Sequence, residues 1–241
     1  MHMAITDITM HYRRSFIGPF WVTLQMAVMV GALALLYSAL FHQDISTFLP
    51  YVAAGILAWS SISSMVNEGC QTFIRNSHLI LHTNLPLPIF TFRDVARNGI
   101  IFVHNLAGIL LIYMYAPENL TENVVLLLPG TVLLFLNGLW LSLVLGMIST
   151  RYRDMPQMVG SLVQVAMFVT PVFWPISAIG ERHIAVDGNV FYHFIEVIRA
   201  PILGNVPTAL NYEVVLGTTL AGWLIALITY ARYRSRVVFS L

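Results

Sequence analysis

Apolar residues run in long blocks along this chain, and charged residues gather between the blocks. The first block follows Arg13 and Arg14 and meets no ionisable side chain until His42 and Asp44. A helix needs about 20 apolar residues to cross the hydrocarbon core. A charge at the bilayer centre costs roughly 2.5–3.5 kcal/mol on insertion scales, so such a long uncharged run is itself a signal. It predicts a membrane-spanning helix over 20–41, with Gly18-Pro19 at its start and Trp21 at an interface. The same pattern predicts further spans over 48–67, 99–115, 124–149, 155–179 and 214–230.

The stretches between the blocks have distinct characters. Residues 7–14 are short, polar and mildly amphipathic, which suits a helix lying along the interface before the first span, or a frayed terminus. Gly69 to Arg97 carries Arg75, His78, His82, Arg93, Asp94 and Arg97, with Pro86 and Pro88 among them. Within it, 72–81 reads as a short amphipathic helix on the cytoplasmic face. Arg151-Tyr152-Arg153-Asp154 is a tight charged turn, and Pro171 and Pro175 interrupt the outer third of the fifth span. Residues 179–212 hold too many charges for another clean span. Phe191, Phe194, Ile195, Ile198 and Ile202 stand near helical spacing there, so a short interfacial or re-entrant helix pair is expected.

Charge fixes the expected orientation. Arginines resist translocation, so Arg13 and Arg14 at one end and Arg232, Arg234 and Arg236 at the other place both termini in the cytoplasm. That demands an even number of spans. With six, only Arg182 and Arg199 fall outside, along with Asp44, Glu118, Glu122, Glu181, Asp187, Glu196 and Glu213.

Composition narrows the function. With 58% hydrophobic residues, 10% charged residues and a mean hydropathy of +0.77, the chain reads as a multi-span membrane protein. It contains no lysine, which excludes a Walker A motif, so any ATP-driven role needs a separate ATPase subunit. Cys70 is the sole cysteine, excluding an internal disulfide or a CxxC site, and the histidines show no zinc-ligand spacing. No cleavable signal peptide is expected, because the first apolar run is too long.

Three stretches carry a resemblance. Tyr12 to Trp21, YRRSFIGPFW, is similar to the YRRSxLGPxW start of the membrane subunits of bacterial polysaccharide ABC exporters, a type-2 ABC exporter family. Arg151-Tyr152-Arg153-Asp154 with Thr170-Pro171-Val172-Phe173-Trp174-Pro175 is similar to the family's fourth loop and fifth span. Tyr192-His193-Phe194-Ile195-Glu196 to Arg199-Ala200-Pro201 is similar to its outer helical segment, although Asn189-Val190 replaces the usual Asn-Pro. The resemblance implies an all-α polytopic fold forming a single permease domain over 1–241. Its six transmembrane helices come with an N-terminal interfacial helix, a cytoplasmic coupling helix and short outer re-entrant helices. It also implies a homodimer in the bacterial cytoplasmic (inner) membrane, two cytoplasmic ATPase subunits that hold ATP and magnesium, and a lipid-linked glycan as cargo. No cofactor on this chain and no nucleic-acid partner are expected. A drug or small-lipid exporter of the same fold is the alternative. A glycan-processing enzyme is disfavoured, because the carboxylates are scattered and form no DxD pair.

Candidate residues follow, each with an ordinary reading beside the functional one. Arg13 and Arg14 stand where a pyrophosphate headgroup would arrive, and guanidinium forks suit phosphate; they also serve as topology anchors. Trp21, Tyr37, Tyr51, Trp59, Phe168, Phe173 and Trp174 offer aromatic faces for a sugar path, or belong to an interfacial belt and ordinary packing. Arg75, His78, Leu79, Leu81, Arg93, Arg151, Arg153 and Asp154 would form the surface that docks on the ATPase, or be solvated loops. His104 in the third span reads as an interhelical hydrogen bonder, or as a proton relay.

Overall fold

The computed structural model describes residues 20–83, 85–110, 121–176 and 186–240. The expected interfacial helix over 7–14, together with Arg13, Arg14 and Arg182, lies outside them. Every regular element among the described residues is helical: α1 (Phe20–Phe41), α2 (Ile45–Arg75), α3 (Ser77–His82), α4 (Pro88–Leu110), α5 (Leu127–Arg151), α6 (Met155–Val169), α7 (Val190–Ile202) and α8 (Ala209–Ser240). A 3-10 turn, Glu122–Leu126, leads into α5. Four of these helices are long and apolar enough to cross a membrane: α1, α2, the helix 122–151 and α8; α6 is a shorter apolar helix.

α2 is the axis of the fold. Of the apolar 18-residue stretch of each long helix, 67% is buried in α2, against 17% in α1, 28% in 122–151 and 22% in α8. α2 packs against α1, α4, α5, α6 and α7, while α8 closes over α5 and α7. In return α1, α6 and α8 leave apolar side chains such as Leu36, Leu162 and Leu220 exposed. Such faces suit lipid, where water does not penalise them. The turn between α1 and α2 is built locally. His42 adopts a left-handed φ of 53°, and the Gln43 N–H reaches back to Ser38 O at 3.0 Å. Asp44 then caps α2 by accepting from the Ser46 N–H at 2.9 Å, a bond that holds its carboxyl below the ordinary range.

Helix limits differ from the predicted spans in instructive ways. The helix expected over 72–81 is divided at Asn76: α2 continues to Arg75, and α3 starts afresh. The Asn76 amide folds back on Thr72 O at 2.7 Å, competing with the helix ladder. α4 begins eleven residues before the span predicted from 99, because its charged first half is helical too. α6 stops at Val169 instead of running to 179, since Pro171 pushes Thr170 into extended backbone (φ −90°, ψ 137°). α8 outruns the predicted limit of 230: Arg232, Arg234 and Arg236 are good helix formers that need only water around their heads.

Candidate functional site

The structure places its chemistry at two ends of the bundle. At one end the chain between α6 and α7 is broken by Pro171 and Pro175, and nearby helices supply the polar partners the break requires. Arg199, in α7, is the key. Its side chain is 1% exposed, yet it is an arginine. Its Nε donates to Glu196 Oε1 at 2.7 Å, and its Nη2 also meets that oxygen. Nη1 donates to Pro171 O at 2.7 Å, and the guanidinium lies 4.1 Å from the centre of the Tyr51 ring. The Tyr51 hydroxyl donates to Trp174 O at 3.1 Å. One buried cation thus joins α2, the broken segment 170–176 and α7. Its charge is tolerated because Glu196 neutralises it, Pro171 O accepts from a further nitrogen and the Tyr51 ring faces the cation.

Two glycines bring backbone into this corner. A Cβ on Gly55 would collide with Val172 O, and one on Gly130 with Val197 O. Each glycine lets a helix approach where a side chain would hold it off. Asn189 finishes the join: its carbonyl oxygen accepts from the Phe191 N–H at 3.0 Å, capping α7, and its amide donates to Thr170 Oγ1 at 2.9 Å.

The predicted path aromatics divide into groups here. Tyr37, Phe168 and Phe173 converge, with Phe173 centred 5.1 Å from Tyr37 and 6.1 Å from Phe168. Trp174 joins them through its indole N–H, which donates to Phe168 O at 3.2 Å. Tyr51 belongs to the same end through Arg199 and Trp174. Trp59 is buried and instead meets Phe191 edge-on at 5.7 Å. Trp21, 45% exposed at the start of α1, is apart from all of these.

The opposite end is a charged lattice between α2 and α4. Arg97 Nη2 binds Glu68 Oε2 at 2.6 Å and lies 3.7 Å from Asp94 Oδ1. Asp94, with a side chain only 5% exposed, also accepts from Thr72 Oγ1 at 2.7 Å and from Arg75 at 3.2 Å. Asn98 donates to Glu68 at 2.7 Å, and Arg93 donates to Asn76 Oδ1 at 3.2 Å. Beside the lattice, α3 presents His78, Leu79 and Leu81 outward and buries only Ile80. Ile80 packs in one cluster with Phe73, Leu87 and Phe90 and with Leu143, Val144 and Met147 of α5. Arg151, Arg153 and Asp154 are exposed in the turn that leaves α5. Of the predicted docking residues, then, Arg75 and Arg93 are tied into the lattice. His78, Leu79, Leu81 and the 151–154 turn face outward.

His104 is an interhelical partner. The Thr23 hydroxyl donates to Asn105 Oδ1 at 3.1 Å, so the 2.6 Å bond between Thr23 Oγ1 and His104 Nδ1 takes its proton from the histidine. Sequence reasoning missed the Arg199–Glu196 pair, reading both as outer-loop charges, and missed Glu68, Asp94 and Arg97 as one unit. A signal was available for the first: opposite charges three apart inside an apolar helical pattern.

Residues 3–203 match the family model described as ABC-2 type transporter. The O-antigen export system permease protein RfbA of Myxococcus xanthus is 29% identical over 177 residues, which cover 73% of this chain and 68% of that protein.

Proposed function

Because the chain belongs to the ABC-2 type transporter family and is a type-2 ABC permease that works with an ATPase partner, we propose that its cargo is a lipid-linked polysaccharide, O antigen first among the candidates. The observation that carries the cargo is the similarity to an O-antigen export permease over most of the chain. The YRRSFIGPFW stretch that leads into α1 supports it.

In this reading the chain crosses the cytoplasmic membrane of a bacterium six times, with both termini inside, and pairs with a second copy. α4 and α6, with the residues that follow α6, supply the two spans beyond the four long apolar helices. The charge segregation supports that topology. Two ATPase subunits dock on α3 and on the 151–154 turn. Outward apolar residues on α3, Leu79 and Leu81, suit a groove on a partner. The α2–α4 lattice behind them carries the push into the central helix. Arg13 and Arg14 receive the headgroup of the lipid carrier. The aromatics Tyr37, Tyr51, Phe168, Phe173 and Trp174 line the outer part of the sugar path, and Trp59 and Trp21 its lower course. The break at 170–176, held by Arg199, serves as the exit gate.

The test is ATP hydrolysis by the complex of this chain with its ATPase partner. Undecaprenyl-linked glycan is expected to stimulate turnover several-fold and small amphiphiles to leave it unchanged. Stimulation by the amphiphiles alone would assign the complex to drug or small-lipid export. Leu79→Asp with Leu81→Asp is expected to abolish stimulation while the chain keeps its fold.

A further inference from the structure

α2, the central helix, is open along one face of its middle turns, and that face is polar. Over 52–70 every residue is buried except Ser60, Ser63, Ser64, Asn67 and Glu68. Glu68 is tied to Arg97 and Asn98 at the charged end. Ser60, Ser64 and Asn67 are four and three residues apart, with Ser63 beside them, so they share one side of the helix. α6 repeats the pattern. Gln157, Ser161 and Gln164 are exposed at the same spacing, and four residues further on the same side stands Phe168, 62% exposed. The exposed apolar residues Met158, Leu162, Val165 and Val169 occupy a separate face. The two polar stripes adjoin: a Cβ on Gly160 of α6 would stand 3.4 Å from Asn67 Oδ1.

Lipid chains cannot satisfy such faces. Polar side chains inside membrane segments turn toward the bundle interior or a water-filled space, where they mark routes for substrate. Some donors here are spent within their own helices. Ser60 Oγ donates to Leu57 O at 3.0 Å, Ser161 Oγ to Gln157 O at 3.1 Å, and the Asn67 amide to Ser63 O at 2.8 Å and Ser63 Oγ at 3.3 Å. The hydroxyl oxygens and Asn67 Oδ1 still accept. Among the described residues, the side chains of Ser64, Gln157 and Gln164 make no hydrogen bond. Each glutamine amide offers donors beside an acceptor, which matches sugar hydroxyls that both give and take. No Asp, Glu, Lys, Arg or His lies within 45–67 or 155–169, so an ionic ligand would find no counter-charge there. The chemistry fits a neutral, hydroxyl-rich chain. At its far end the α6 stripe runs into rings, since Phe168 meets Phe173 and Phe173 meets Tyr37.

We infer that these two stripes form one hydrogen-bonding wall that holds the uncharged sugar chain of the cargo along the inner half of its path. The inference rests on the reading of the cargo as a lipid-linked polysaccharide. The test uses the complex with the ATPase partner in proteoliposomes. Gln164→Cys and Val165→Cys, made singly, compare the polar stripe with its apolar neighbour; Cys70 is fully buried and stays in place. A charged methanethiosulfonate reagent is expected to label Gln164→Cys several-fold faster than Val165→Cys. Undecaprenyl-linked glycan is expected to slow that labelling, and undecaprenyl pyrophosphate without sugar to leave it unchanged. Gln157→Leu with Gln164→Leu is expected to raise the glycan concentration for half-maximal stimulation of ATP hydrolysis roughly tenfold, through the loss of two neutral hydrogen bonds. Gln157→Asn with Gln164→Asn should recover part of this, since the amides return on shorter stems. Equal labelling of the two cysteine variants would overturn the wall, because lipid or a second copy would then cover the stripe. So would a folded double leucine variant that responds to glycan as the wild type does. The two readings fail differently. A wild-type complex that glycan does not stimulate removes the cargo and the wall together, whereas a stimulated wild type beside an unimpaired leucine variant removes the wall alone.

Discussion

The two charged ends of this permease use ion pairs in opposite ways. At the Arg199 end one cation, 1% exposed, has one carboxylate partner that is itself only 16% exposed. At the α2–α4 end Arg75, Arg97, Glu68 and Asp94 share partners, and all but Asp94 keep between 18% and 39% of their side chains in contact with solvent. A buried pair in a low-dielectric setting is all or nothing, because a lone partner has no water to turn to. A hydrated lattice can trade partners at small cost. The first design holds a break in the chain in one place. The second keeps two helices together while its partners can be exchanged.

That contrast can be tested by substitution, starting where the effect is greatest. Arg199→Ala strands Glu196 and bares Pro171 O, so it should cost about 3–5 kcal/mol, read as a lowered melting temperature of the solubilised protein. Arg199→Lys should recover less than half, since an ammonium cannot fork to Glu196 and Pro171 O while stacking on Tyr51. If Arg199→Ala costs no more than Arg97→Ala, the difference between the ends disappears. Gly55→Ala drives a methyl group into Val172 O and should cost about 1–3 kcal/mol through displacement of segment 170–176. Tyr51→Phe keeps the ring beneath Arg199 but loses the bond to Trp174 O, for about 1 kcal/mol. The smallest effect belongs to the lattice. A double-mutant cycle on Glu68 and Arg97 should return about 0.5–1 kcal/mol of coupling, weakening as salt rises. Coupling insensitive to salt would mean that the lattice is as dry as the Arg199 site.

How much of this was legible from the residues depends on distance along the chain. The greasy runs and their arginine flanks disclosed the helical membrane fold, because crossing a bilayer is a local demand on some twenty neighbours. The interruption after α6 was visible too, since Pro171 and Pro175 act on their own backbone. What stayed hidden were contacts between residues far apart. Nothing near Tyr51 announces that it will sit under Arg199, and a charge read on its own is assigned to water. The spacing of Glu196 and Arg199 within an apolar helix was the one local hint. The α2–α4 lattice was half visible: the charges of 69–97 marked a special surface, but Glu68, just past the span predicted to end at 67, gave no local sign that it anchors Arg97. The limits of α3 and α8 were misjudged because Asn76 acts through a side-chain bond and because arginines at a membrane edge do not end a helix.

The most direct measurement is ATP-driven movement of a lipid-linked glycan across proteoliposomes that contain this chain and its ATPase partner. Glycan is expected to reach the far leaflet only with hydrolysable ATP and both subunits present, and Arg199→Ala is expected to stop this movement. Glycan crossing with this chain alone, or at an undiminished rate in a folded Arg199→Ala complex, would contradict that expectation.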